Sequence, residues 1–239
     1  MQLSAYAYTN RGGRDHNEDS LRASAEQGIF VLADGLGGHR CGEVASQAAV
    51  DAIFTGMAQA EALEEASLLD LFRSANEELL RRQAQPEQEE MRTTAVALKL
   101  AGSTAVWAHI GDSRLYRFSN GELAGVTADH SVTYRKFLGG EISYMDVYHD
   151  DDRSRLLRVL GKEPCRPEAG QAAVSPGDAF LLCSDGFWEF VYNEEIQADL
   201  CRARTPEEWA EGMLLRHIRR TPPGSDNFSL ITVFVEACG

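Results

Sequence analysis

Two apolar runs in this chain end the same way. GIFVLADG (28–35) and AFLLCSDG (179–186) each carry hydrophobic side chains into an Asp-Gly pair. An unbroken apolar run of this length, closed by a turn signal, reads as a buried strand. Asp112 closes VWAHIGD (106–112) in the same manner, and Asp226 opens DNFSLITVFVEA (226–237). Each carboxylate therefore stands where an apolar strand meets a turn. If these strands lie in one packed pair of sheets, their ends converge on one rim. Carboxylates a few ångströms apart repel strongly at low dielectric, so either one takes a proton or a cation binds. Donors that are all oxygen select hard ions, magnesium or manganese. Near the N-terminus, RDHNEDS (14–20) adds Glu18 and Asp19 side by side, with Arg14 just before them. A turn or capping role is the ordinary explanation for any single aspartate. Four of them at strand ends shift the balance toward a metal site.

The rest of the chain fills in layers around those strands. LSAYAYT (3–9) is a further strand. Residues 42–58 fit a helix, with Val44, Ala48, Ala52 and Ile53 at helical spacing. Residues 67–83 fit a second, with Ser67 as its cap and Leu68, Phe72, Ala75 and Leu79 in its apolar stripe. Three successive strands follow over 93–119, close enough in sequence to be antiparallel, and Asn120-Gly121 signals a hairpin. From 127 to 161 the pattern loosens into a flap or surface segment, with a short helix expected over 154–161 ending at Gly161. Thr205, Pro206 and Glu208 mark the start of a helix running to 220. Helices alternating with antiparallel strands indicate an α+β layered fold.

Bulk properties narrow the function. At 239 residues the chain suits one large domain, taken here as 1–239. A net charge of −14 repels nucleic-acid backbones and anionic membranes, so neither is expected as a partner. No signal peptide and no bilayer-length apolar run are visible, which points to a cytoplasmic protein. The five cysteines are widely spaced with no C-x-x-C pair, which argues against a disulfide framework and against zinc.

Taken in order, RDHNEDS, ADGLGGHRCGEVAS (33–46), RTTAVAL (92–98), HIGDSRLYRF (109–118), TADHS (127–131), HDDDRSRLLRVLG (149–161), GDAFLLCSDGFWE (177–189) and DNFSLITV (226–233) resemble the motifs of the metal-dependent Ser/Thr protein phosphatases, the type-2C or PPM family, in its bacterial stand-alone form. The resemblance implies a four-layer α/β/β/α sandwich, two central antiparallel sheets flanked by helices. It implies hydrolysis of phosphoserine and phosphothreonine in proteins, with two Mn²⁺ or Mg²⁺ ions and direct attack of a metal-bridging hydroxide on phosphorus. By the same resemblance Arg14 grips the phosphate and Asp34 bridges the ions, so both are expected to be catalytic. Glu18, Asp19, Gly35 (through its carbonyl), Asp185 and Asp226 complete the metal shell, directly or through water. A third, weakly bound metal maps to Asp112 and Asp185, with Glu189 as a further acidic ligand. His39 is expected as a supporting residue, because Leu36 stands where animal members carry the histidine that protonates the leaving group.

The implied partners are a phosphorylated protein and a cognate Ser/Thr kinase system, with the phosphatase itself a monomer. Control of type VI secretion is one bacterial setting for such a pair. Two other classes remain open on sequence. An inactive phosphatase-like binding or scaffold domain is expected to have lost ligands, whereas the aspartates and Arg14 are all present. A two-metal nuclease would need a basic groove.

Overall fold

The computed structural model describes residues 1–36, 41–60 and 64–237. Eleven strands are present among them: β1 Gln2–Asn10, β2 Asp19–Ser24, β3 Ile29–Leu36, β4 Arg92–Thr93, β5 Ala95–Ala101, β6 Thr104–Ile110, β7 Arg114–Ser119, β8 Glu122–Val126, β9 Glu168–Ala173, β10 Ala179–Cys183 and β11 Phe228–Glu236. The α-helices are α1 Cys41–Gln59, α2 Glu65–Arg82, α3 Val132–Leu138, α4 Asp185–Trp188, α5 Asn193–Leu200 and α6 Pro206–Arg220.

The strands form two antiparallel sheets, ordered β1-β11-β10-β7-β8 and β2-β3-β5-β6-β9, with β4 pairing β3 outside the second path. Successive strand residues point to opposite faces. On β3, Phe30 and Leu32 meet Leu182, Ile231 and Val233 between the sheets. Ile29, Val31 and Ala33 on the other face pack against Ala45, Ala49, Ile53, Phe72 and Leu79 of α1 and α2. The opposite sheet does the same: Tyr116, Leu181 and Leu230 turn outward onto Trp209, Met213 and Trp188. Both faces of each central strand are covered, which is why those strands read as continuous apolar runs. Each large apolar side chain fully buried this way contributes roughly 1.5–3 kcal/mol relative to exposure. The result is the α/β/β/α sandwich.

Several local expectations shift. Helix α1 buries Ala48 and Ile53 as the spacing predicts, together with Ala45, Ala49 and Met57, while Ala52 is half-buried and Val44 is exposed. Helix α2 is capped three residues earlier than Ser67 predicts: its N-cap is Glu64, without a side-chain cap bond. The apolar stripe from Leu68 holds the helix, and capping is a weaker influence there. Residues 154–161 form no helix. Leu156 and Leu160 instead bridge Ser131 and Thr93 as isolated β-pairs, and Gly161 takes φ +83°. Backbone partners on two neighbouring segments outweigh the helical periodicity of SRLLRVLG. The loosely patterned 127–153 stretch contains α3, capped by Ser131, and a 3₁₀ turn over Tyr144–Tyr148. The turn at Asn120-Gly121 has both φ angles positive, at 53° and 80°. This is the geometry that favours Asn-Gly. Thr205 caps α6 by accepting from the Glu208 amide.

Candidate active site

The end of the sandwich gathers carboxylates from both sheets. Asp19 and Asp34 face one another in the β2–β3 register. Asp112 sits where the chain crosses from β6 in one sheet to β7 in the other. Asp185 follows β10, and Asp226 precedes β11, the two strands running side by side. Asp34, Asp112, Asp185 and Asp226 line one cavity of about 390 Å³, together with Arg14, Glu18 and Gly35.

Backbone clamps hold these groups. Thr94 accepts from the Asp34 amide at 3.0 Å and its own amide donates to the Asp34 carbonyl at 2.8 Å. Thr93 adds a hydroxyl to that carbonyl at 2.7 Å. Gly35 is required by close approach: a Cβ there would lie 2.1 Å from the Gly42 carbonyl oxygen at the start of α1 and 2.7 Å from that of Glu18. Asn227 ties the N-terminal loop to β11. Its side chain donates to the Arg11 and His16 carbonyls and accepts from the Glu18 amide at 2.7 Å. Trp188 donates to the Asp112 carbonyl at 2.9 Å. The sequence does not single out Thr94, Asn227 or Trp188. Each lies inside a quoted motif, but nothing in local composition distinguishes such a clamp from an ordinary polar or core residue.

The electrostatics are those of an uncompensated cluster. Burial, then repulsion from Asp185, Asp19 and Asp112, pushes the Asp34 carboxyl well above its usual range. Burial and then Asp185 and Asp129 do the same to Asp112. Asp185 is raised by burial and by Asp226, opposed by its hydrogen bond with Asp34. Burial raises Asp19 to about 7, against the pull of hydroxyl bonds from Ser229 at 2.7 Å and Ser184 at 2.8 Å. Burial and Asp226 raise Glu18. Asp19 lies beneath the cavity wall and not on it, and its Oδ1 is buried without a hydrogen-bond partner, as is Oδ1 of Asp185. A buried carboxylate oxygen left unpartnered costs free energy, and a cation removes that cost. The donor set is entirely oxygen and surrounds open space. The residues present therefore fit hard divalent cations whose shells are completed by water.

Arg14 reaches the cavity and pairs with Asp226 at 2.9 Å, both side chains being about half exposed (56% and 51%). Glu189 lies off the cavity wall, where Arg153 pairs with it at 2.8 Å; burial and Asp185 still raise it to about 7. His39 lies outside the described residues. Among the described residues, the one trio of donor side chains within 4.8 Å of one another is elsewhere: His109, His130 and Glu168. That place already holds a cation, because the Arg158 guanidinium pairs with Glu168 at 2.6 Å and lies 3.2 Å from His130 Nε2. The His130 ring nitrogen Nδ1 also accepts from the Gly111 amide, which favours a proton on Nε2.

Comparison with known proteins identifies the family. The family model described as protein phosphatase 2C matches residues 9–214. The serine/threonine phosphatase stp of Listeria monocytogenes is 33% identical, over 94% of this chain and 93% of its own. The catalytic domain of the serine/threonine protein phosphatase PstP, solved with two manganese ions, superposes with a TM-score of 0.87 at 30% identity, covering 98% of this chain and 99% of that one. PppA of Pseudomonas aeruginosa, described as a key regulatory component of the type VI secretion system, superposes with a TM-score of 0.83 at 27% identity, covering 98% of each chain. The chain belongs to the protein phosphatase 2C family. It is a serine/threonine protein phosphatase, and its cofactor is a divalent metal.

Proposed function

We propose that this chain removes phosphate from phosphoserine and phosphothreonine at the carboxylate-lined cavity, with Arg14 as the phosphate receptor and Asp34 as the central metal ligand. The observation that carries the reading is the convergence of Asp34, Asp112, Asp185 and Asp226 on one cavity with buried, unpartnered oxygen beside it. When bound, two cations supply charge screening for a dianionic ester and lower the pKa of water. Asp34, Asp185, Asp226 and the Gly35 carbonyl would hold them, with Glu18 acting directly or through water. Asp19, tied to Ser184 and Ser229, supports the cluster from below and offers its free oxygen. Asp112 and Asp185 would hold a third ion, while Glu189 is already paired with Arg153. Arg14 orients the phosphate by its planar fork of N–H donors. Its contact with Asp226 places the guanidinium at the cavity, where its N–H donors would be available to phosphate oxygens.

The biological setting follows the same reading: a monomeric cytoplasmic enzyme that reverses a Ser/Thr kinase. The likeness to PppA makes type VI secretion control one candidate setting. No helix of the described residues is long and apolar enough to cross a membrane. The test is phosphate release from a phosphothreonine peptide with manganese and then with excess chelator. Release that needs manganese and stops with chelator supports the assignment. A folded, metal-binding protein that releases no phosphate from any phosphopeptide would favour a binding or scaffold role.

A further inference from the structure

A second cavity, about 290 Å³, adjoins the catalytic one and shares Leu36, Ser154 and Leu156 with it. Its far wall carries Arg92 and Lys162. Neither has an ion-pair or hydrogen-bonded side-chain partner among the described residues, and both are exposed. On a chain of net charge −14, two basic side chains left open beside one cavity are available to an anionic group. Glu90 is the one carboxylate on the wall, which leaves a net positive lining. Leu157 adds an apolar shoulder, 42% exposed.

The wall is built, not incidental. Arg92 stands opposite Leu36 in the β3–β4 register, two residues past Asp34. Strand rise and cross-strand spacing then put its Cα on the order of 8 Å from that of Asp34. Lys162 is held beside it: Thr93 and Leu160 exchange backbone hydrogen bonds at 3.2 and 2.9 Å, and a Cβ on Gly161 would come 3.3 Å from the Arg92 Cα. Gln83 Nε2 donates at 2.7 Å to the carbonyls of both Met91 and Gly161, locking the two segments together.

We propose that this cavity is a substrate subsite for an anionic side chain, a carboxylate or a second phosphate, carried about two to four residues from the phosphoresidue being hydrolysed. An extended peptide advances about 3.3 Å per residue, which spans the gap between the cavities at that separation. The proposal rests on the phosphatase reading above.

The test compares phosphothreonine peptides that differ only at positions two to four on either side of the phosphoresidue: neutral, glutamate, a second phosphothreonine, or lysine. Each is assayed with manganese on the wild type, the Arg92→Ala/Lys162→Ala double variant and the Arg92→Glu/Lys162→Glu double variant. The readout is the ratio of kcat/KM for the charged peptide to that for the neutral peptide on one enzyme preparation, so the active fraction cancels. Two partly exposed ion pairs predict a wild-type preference of about threefold to tenfold for the anionic peptide, weakening with salt. The alanine variant should bring the ratio near one, and the glutamate variant should favour lysine. Equal gains from glutamate and phosphate assign the subsite to any carboxylate, and a larger gain from phosphate assigns it to a second phosphoresidue; either result supports the proposal. A wild type that turns over all peptides equally, or a preference that survives the alanine variant, overturns the subsite alone. Failure of every phosphopeptide would instead remove the phosphatase reading and the subsite with it.

Discussion

Two buried charged groups lie on either side of Trp188, and they are built on opposite principles. On one side Arg114 and Asp129, each side chain 1% exposed, form a two-pronged ion pair at 2.6 and 2.8 Å. The guanidinium also donates to the Tyr116 hydroxyl at 3.1 Å and lies 3.5 Å over the Trp188 ring. Every charge there has its partner. On the other side Trp188 holds the Asp112 carbonyl, and the aspartate cluster begins: like charges, raised carboxyl pKa values and unpartnered oxygens. A closed pair stabilises one geometry. An open cluster destabilises the bare fold and stores that cost as affinity for a cation. The contrast separates a structural group from a functional one, although the residue types overlap.

The largest expected effect falls on the open cluster. Asp34→Asn should lower manganese-dependent phosphatase activity by about 10³-fold or more while circular dichroism stays native. Near-normal turnover would end its role as central ligand. In chelator the same variant should be no less stable than the wild type, because a repelling charge has gone. The closed pair should behave in reverse. Asp129→Asn leaves a buried guanidinium without its counter-charge, which costs about 3–5 kcal/mol in urea unfolding, whereas Arg114→Met with Asp129→Leu should recover much of it. A double variant as unstable as the single would show that the pair is more than self-compensating.

Acidity distinguishes the two regions next. Asp19 and Asp34 have folded-state pKa values raised above their ordinary 3.8, Asp19 to about 7. Between those values the folded state holds more protons than the unfolded state, so metal-free stability falls as pH rises from about 4 through 7. Cation binding displaces those protons, so the stabilisation by manganese should grow over the same interval. Unfolding midpoints at pH 5 and pH 7.5, with chelator and with manganese, check both signs. A metal-free protein that gains stability across this range would contradict the cluster electrostatics. The smallest effect is at the rim: Arg14→Lys keeps the charge and loses the planar fork, and KM for a phosphopeptide should rise by about tenfold with kcat less affected. An unchanged KM would leave Arg14 only its contact with Asp226.

Much of this molecule is written locally. Residues 29–33 and 179–183 are apolar on both faces because both faces of those strands are covered, and a continuous run in sequence is the direct trace of that burial. The aspartates announce themselves because each borders such a run, and Asn120-Gly121 announces its turn because few other pairs accept two positive φ angles. What the chain does not write locally is anything that depends on a neighbour distant in sequence. Residues 154–161 carry a helical pattern, yet partners at Thr93 and Ser131 draw them into β-bridges. Asn227 looks like any turn asparagine until it is seen holding Glu18, 209 residues away. Glu189 reads as one more acidic ligand until Arg153 is found against it. The sequence by itself determined which strands are buried, which of them border charge and which chemistry those charges suit, since hydrophobicity and donor type belong to each residue alone. Only the tertiary structure decided which charges are left open and which are paired, because compensation is set by the distance between groups that the chain brings together from far apart.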